Sequence, residues 1–298
     1  MIYLLLSILF SVALLINFRL FSKYGINTFQ AIVFNYPVCF ITGYLLMDQG
    51  EHFQVDLNQN WTWYCLALGV GFIVTFILSG VSTQRIGMTV TSLANNISLV
   101  IPVLFSLLVF GSNGVDFKAI NYFGLILGIL AVCLAAYRKE EASVSTGFWE
   151  RGGLALSVFL MYGITNTVIN YLQINIIKDG TGVIPVMLIM ILGAIVSGLT
   201  VLAYKFITGN EVFQYKNLVA AVTLGIPNFL SFYFLIKALN HFGSSGALVY
   251  PLYNMGVILL SAAVGLIVFK EMLTKINKIG LALAVIAILF ISWDALFI

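Results

Sequence analysis

Four uncharged hydrogen-bonding side chains, Tyr162, Asn166, Asn170 and Gln173, follow one another at spacings of four, four and three residues within an otherwise apolar stretch. Those spacings place all four on one face of a helix. Similar groups recur in other apolar stretches: Thr91, Asn95 and Ser98 in line with Asn96 adjacent, Tyr250, Tyr253 and Asn254 beside Pro251, Asn228 and Ser231 just past Pro227, and Asn35 and Tyr36 beside Pro37. Amides and phenols donate and accept hydrogen bonds without carrying fixed charge, which suits recognition of a neutral or zwitterionic solute. A single buried amide can equally staple two helices together, at about 0.6 kcal/mol and at most about 2. Four on one face fit that role poorly and fit the wall of a wet cavity better. Tyr162, Asn166, Asn170, Asn95, Tyr250 and Asn254 are the candidate substrate-binding residues.

The elements that must carry these groups follow from charge. Only 25 of 298 residues are Asp, Glu, Lys or Arg, and they leave ten long uncharged windows, from 1–18 to 279–293. A spanning helix needs about 20 mostly apolar residues, and a charge at the bilayer centre costs at least about 2.5–3.5 kcal/mol. The pattern predicts an all-α integral membrane protein with ten transmembrane helices. Hydrophobic residues make up 61% and charged residues 8%, which leaves too little charge for a soluble surface. The N-terminal run has no basic residue before it and no small-residue cleavage site after it, so it reads as a retained helix. The lipid bilayer is the expected surrounding, in a cell membrane such as the bacterial inner membrane.

Several functions are disfavoured by what is missing. No Asp or Glu lies deep in a predicted span: Glu271 and Asp116 belong to turns, and Glu150 to a helix start. That argues against proton-coupled exchange of cationic drugs through an intramembrane carboxylate. His52 and His241 lie outside the spans with no ligand partners at useful spacing, so neither a metal site nor a membrane enzyme can be assembled. No cofactor is expected. A channel would want a carboxylate ring or carbonyl filter. Nucleotide sugars would want basic residues in the cavity, where only Lys237 could serve. With a net charge of +3 and no basic run, nucleic acid is no partner. Cys39, Cys65 and Cys133 show no paired spacing and read as small apolar side chains.

The polar stretch 138–151 lies almost at mid-chain, with five windows on either side, dividing the protein into halves 1–140 and 141–298. Residues 87–91 pair with 243–247, and 124–134 with 280–290, both at a shift of 156. An odd number of helices per half makes the second half enter the membrane from the opposite side. The expected architecture is therefore two inverted five-helix repeats, a recurrent plan of secondary transporters with the site between the repeats. All five prolines fall inside predicted spans, and Pro37 with Pro185, and Pro102 with Pro251, occupy matching helices of the two halves.

Residues 243–293 carry a more specific likeness. Gly243-Ser-Ser-Gly-Ala247 leads to Tyr250-Pro251-Leu252, an apolar helix, then Phe269-Lys270-Glu271-Met-Leu-Thr274 and a last helix opened by Gly280. In this, and in its ten-span layout, the chain resembles the EamA branch of the drug/metabolite transporter superfamily. The first half repeats the ending more weakly and lacks the glutamate unless Asp116 stands in for it. The resemblance implies transport of a small metabolite, amino acids among them, through a cavity between the halves by alternating access. Drug, cation or nucleotide-sugar exchange on the same fold is the alternative.

Orientation is read two ways. Loops after predicted helices 1, 3, 5, 7 and 9 hold eleven Lys and Arg, against three in the other loops. By the positive-inside rule this basic face is cytoplasmic and both termini lie outside; the resemblance implies both termini inside.

Overall fold

The computed structural model describes residues 1–47, 50–109, 118–137, 148–175, 183–242 and 246–293. Among them it forms eleven helices and no strand: α1 (Ile2–Lys23), α2 (Thr28–Leu45), α3 (Asn60–Arg85), α4 (Met88–Ile97), α5 (Val100–Val109), α6 (Ala119–Ala136), α7 (Phe148–Asn175), α8 (Val183–Ile207), α9 (Tyr215–His241), α10 (Gly246–Ile267) and α11 (Lys275–Ile291). Seven segments are long and apolar enough to cross a bilayer, α4 and part of α5 together supplying one, Met88–Phe105. That is fewer than the ten expected. The difference lies in α2 and α6 at 18 residues and α11 at 17. α6 and α11 are short, reaching about 26–27 Å at about 1.5 Å per residue against a hydrocarbon core of about 30 Å. α2, as long as the Met88–Phe105 segment, is held back instead by the polar Gln30, Asn35, Tyr36 and Tyr44.

The fourth predicted span is not one continuous helix. Pro102 has no N–H to donate, and the chain turns at Ser98, whose N–H donates to both Ala94 O and Asn95 O at 3.2 Å. Ile101 N–H then donates back to Ser98 O at 2.9 Å, a tighter turn than an α-helix makes. The break, at Ser98 and Leu99, follows closely on Asn95 and Asn96 in the last turn of α4.

Glycine decides which helices come closest. On α6, a Cβ at Gly124 would lie 2.7 Å from Ile291 N and 3.0 Å from Ala287 O of α11. On α11, a Cβ at Gly280 would lie 2.6 Å from Ala135 N and 2.9 Å from Ala131 O of α6. The two contacts are reciprocal, and the ends of the pair are tied in the same reciprocal way. Asn121 Nδ2, in the first turn of α6, donates to Phe290 O and Ile291 O at 3.1 and 3.0 Å. Asn277 Nδ2, in the first turn of α11, donates to Leu134 O, Ala135 O and Tyr137 O at 3.2, 2.8 and 2.6 Å. Each helix start thus satisfies the orphan carbonyls at the other helix's end, and the two helices run antiparallel. Elsewhere, Gly69 and Gly193 bring the backbones of α3 and α8 together, and Gly225 of α9 sits against Asn35 O and Val38 of α2.

One backbone position is under strain. Lys270 holds φ at +52° in the turn between α10 and α11, a left-handed conformation that costs an L-residue about 1–2 kcal/mol. Its side chain is exposed. Lys270→Gly is expected to raise the unfolding midpoint, with a net gain of about 0.5–1 kcal/mol after the added freedom of the unfolded glycine. A thermal melt of purified protein checks the sign.

Candidate functional site

Helices α1, α2, α3, α7 and α10 present polar groups to a common centre. Tyr162 stands midway along α7, within electrostatic reach of the phenols of Tyr36 on α2 and Tyr253 on α10. Tyr253 Oη and Ser11 Oγ of α1 share a hydrogen bond of 2.6 Å. The Tyr162 phenol faces Ser79 of α3, but no hydrogen bond of ordinary geometry closes between them, for Ser79 Oγ is sealed and unpartnered. Beside this centre, Asn228 Nδ2 of α9 donates to Asn35 Oδ1 of α2 at 3.2 Å. Ser7 Oγ donates to Ser231 O at 2.6 Å, tying α1 to α9.

Asn95, Asn166 and Asn254 differ from these stapled groups. Their carboxamides hydrogen-bond to no other described residue, yet none of their polar atoms is among those sealed from accessible space. Asn254 is only 9% exposed, one residue from Tyr253. Asn166 lies one turn from Tyr162 on α7, and Asn95 lies in the last turn of α4, two residues before its end. An amide left without a protein partner at such depth needs water or solute to satisfy it. α4 packs against both α7 and α10, so the three helices that bear these amides adjoin.

The remaining candidates are placed less centrally. Tyr250, one turn before Tyr253 toward the start of α10, is 42% exposed. The side chain of Asn170 lies outside the described residues, as do the side chain of Gln173, the turn with Asp116, and residues 243–245. Residues 138–147, where the sequence is expected to divide into halves, also lie outside them. Tyr36 and Tyr253 were visible as polar groups in apolar helices but did not enter the candidate set. Ser11 and Ser79 went unread: a serine in an apolar helix is ordinary, and its partner lies far along the chain. Among the described residues no group of His, Cys, Asp and Glu is arranged to hold a metal.

On the basic face, acids in turns bond to helix starts far along the chain. Glu271 of the α10–α11 turn accepts from Met88 N at 2.6 Å, Thr89 N at 3.2 Å and Thr89 Oγ1 at 2.7 Å, capping the start of α4. Carboxylates at helix starts meet both orphan N–H groups and the favourable end of the helix dipole. Gly87, at φ +101°, lets the chain enter α4 beside that carboxylate. Glu211, between α8 and α9, accepts from Asn27 Nδ2 at 2.7 Å and Gln30 Nε2 at 2.8 Å at the start of α2, and pairs with Lys205 at 3.7 Å. Asn217 adds bonds to Asn27 N and Gln30 Oε1, and Arg19 donates to Gln84 O at 3.0 Å.

Seven apolar helices of spanning length, packed through glycine and polar contacts, define a multi-pass helical membrane protein. No family model matches the sequence. The chain is similar to an uncharacterized protein of Haemophilus influenzae, 28% identical over 288 residues that cover 95% of this chain and 94% of that one. It also matches a crystal structure of a protein with a TM-score of 0.58, over 95% of each chain and at 13% identity. At that identity the likeness concerns the fold alone. Both similarities run nearly end to end, so the described helices form one recurring architecture.

Proposed function

We propose that this protein is a secondary transporter of the EamA type, moving a small neutral or zwitterionic metabolite by alternating access between two inverted five-helix halves. On this reading α1, α2, α3, α4–α5 and α6 form the first half, α7 to α11 the second, and the three shorter helices also cross the membrane. Support for inverted repeats comes from the α6–α11 pair, whose contacts are exchanged by swapping the two helices, as a two-fold axis perpendicular to them would require. The broken α4–α5 helix and the unpartnered amides near it match the way transporters build solute sites from discontinuous helices at the repeat interface.

The observation that carries the reading is the set of three unsatisfied carboxamides, Asn95, Asn166 and Asn254, on adjoining helices of both halves beside three phenols. Among the described residues no charged side chain bonds to them, so the preferred solute carries no net charge, with an amino acid the leading class. Counterflow in proteoliposomes against a panel of amino acids, sugars and permanent cations tests this. Asn166→Leu and Asn254→Leu are each expected to slow counterflow about tenfold or more while protein yield stays normal, since a lost hydrogen bond to solute is worth about 1–3 kcal/mol. Unchanged transport in both would return these amides to helix packing, and uptake of a permanent cation ahead of every neutral compound would overturn the solute class.

A further inference from the structure

Among the described residues three polar side-chain atoms are both sealed and unpartnered: Tyr36 Oη, Ser79 Oγ and Thr83 Oγ1. Ser79 and Thr83 stand one turn apart on α3, which ends at Arg85 on the basic face. Tyr36 reaches toward the same helix, its ring 6.0 Å from that of Phe76. A folded protein rarely leaves buried hydroxyls without partners, because each forfeits its hydration for nothing in return. Here they line a seam running from the central phenols toward the basic face, where the carboxylate ties of Glu271 and Glu211 lie just beyond it. Ser82 Oγ and Thr91 Oγ1, bonded at 2.7 Å, link the seam to the start of α4 that Glu271 caps.

We propose that Glu271 and Glu211 are the clasps of a gate, and that the hydroxyl seam behind them is the closed half of the solute pathway, which fills with water when the clasps part. This rests on the transporter reading and names what that reading leaves open: which face is shut in this conformation and which residues hold it. Both clasps join one half of the chain to the other. Glu271, from the second half, caps a helix start of the first, and Glu211, also from the second, holds Asn27 and Gln30 of the first. Both bond through a carboxylate to N–H groups, the stronger class of hydrogen bond, yet each lies at a helix end near water, where it can re-form. Hydroxyls without partners make sense where the other conformation supplies water.

The test reads accessibility of the seam. Thr83→Cys is made in a Cys133→Ser background, since Cys39 and Cys65 are each 1% exposed whereas Cys133 is exposed. The protein in lipid nanodiscs is treated with a membrane-impermeant maleimide, and labelling at position 83 is followed by mass spectrometry. Glu271→Gln and Glu211→Gln are each expected to speed labelling about tenfold, the shift that about 1.4 kcal/mol of lost closure produces. Thr89→Val, which removes one bond to Glu271 without touching the acid, is expected to speed it less, and it serves as the second variant should Glu271→Gln fold poorly. Labelling unchanged in all three overturns the proposal. So does an equal increase in Asn277→Leu, which loosens the α6–α11 pair and no clasp. Counterflow on the same samples separates the two ideas. Faster labelling in a protein that moves no solute sinks the transporter reading and leaves the clasps standing, whereas solute movement with unresponsive labelling does the reverse.

Discussion

Gly280→Val is expected to cost this protein about 3 kcal/mol or more, because overpacking a tight contact costs about 1–3 kcal/mol even where side chains can give way, and here they cannot. The atoms that a side chain would meet are Ala135 N at 2.6 Å and Ala131 O at 2.9 Å. Both are helix backbone, so α11 must move away from α6 as a whole. Between apolar helices in lipid, close packing replaces the hydrophobic effect as the source of association, and it falls off steeply with separation. Gly124→Val forces the reciprocal clash, against Ile291 N at 2.7 Å and Ala287 O at 3.0 Å, and is expected to cost a similar amount. Thermal unfolding of each variant in detergent, followed by size-exclusion profile, measures both. A large drop for one and none for the other would contradict the reciprocity on which the two-halves reading leans. Gly152→Val is the control: a Cβ there meets nothing within 4 Å.

What could be read from the chain, and what could not, divides along the physics of each contact. Spans are local: a helix in lipid shows itself by the absence of charge over about 20 residues, so the windows anticipated most of the helices described. Seven of the ten windows correspond to helices of full spanning length and apolarity, because α2, with its Gln, Asn, Thr and Tyr, and the short α6 and α11 sit at the margin. Pro102 was visible, but whether a proline bends a helix or breaks it depends on what takes up the freed groups. Here Ser98 and Ile101 do so by turning more tightly.

The candidate site was legible in part for the same reason. Tyr162, Asn166, Asn95 and Asn254 stood out because amides in apolar helices are costly and so informative. Which of them would lack a partner was not readable, since that depends on packing between helices far apart in the chain. Glu271 shows the limit most clearly. Its place in a turn was plain, yet its partners, Met88 and Thr89, lie 183 and 182 residues away, and nothing local distinguishes it from a solvated acid. One long-range signal was present and went unused. Asn121 and Asn277 stand at the shift of 156 that relates Gly124 to Gly280, so the repeat register itself marked the residues that pin the helix ends.

Asn277→Leu carries the other large expected effect. Its Nδ2 donates to three carbonyl oxygens at the end of α6, and its Oδ1 accepts from Thr274 N at 2.9 Å and Thr274 Oγ1 at 2.7 Å. Leucine fills the space but takes the donor from Ala135 O and Tyr137 O, while Leu134 O keeps its bond from Tyr137 N at 3.3 Å, and a carbonyl stranded at a packed helix end costs about 1–3 kcal/mol. The reciprocal half of the capping box, in which Asn277 Oδ1 accepts from Thr274 N–H, is lost with it for about another 1 kcal/mol, while Thr274 Oγ1 keeps its bond from the N–H of residue 277. The expected total is about 3 kcal/mol. Asn121→Leu frees two carbonyls, Phe290 O and Ile291 O, and is expected to cost less, about 2 kcal/mol. These two sites are at opposite ends of an 18-residue helix, about 20 Å or more apart. Independent pins at that distance should add within about 0.5 kcal/mol in the double variant. A double variant no worse than Asn277→Leu alone would mean that one end already lets the pair separate along its whole length. α6 and α11 would then dissociate as a unit, and could not serve as a fixed scaffold about which the halves rock.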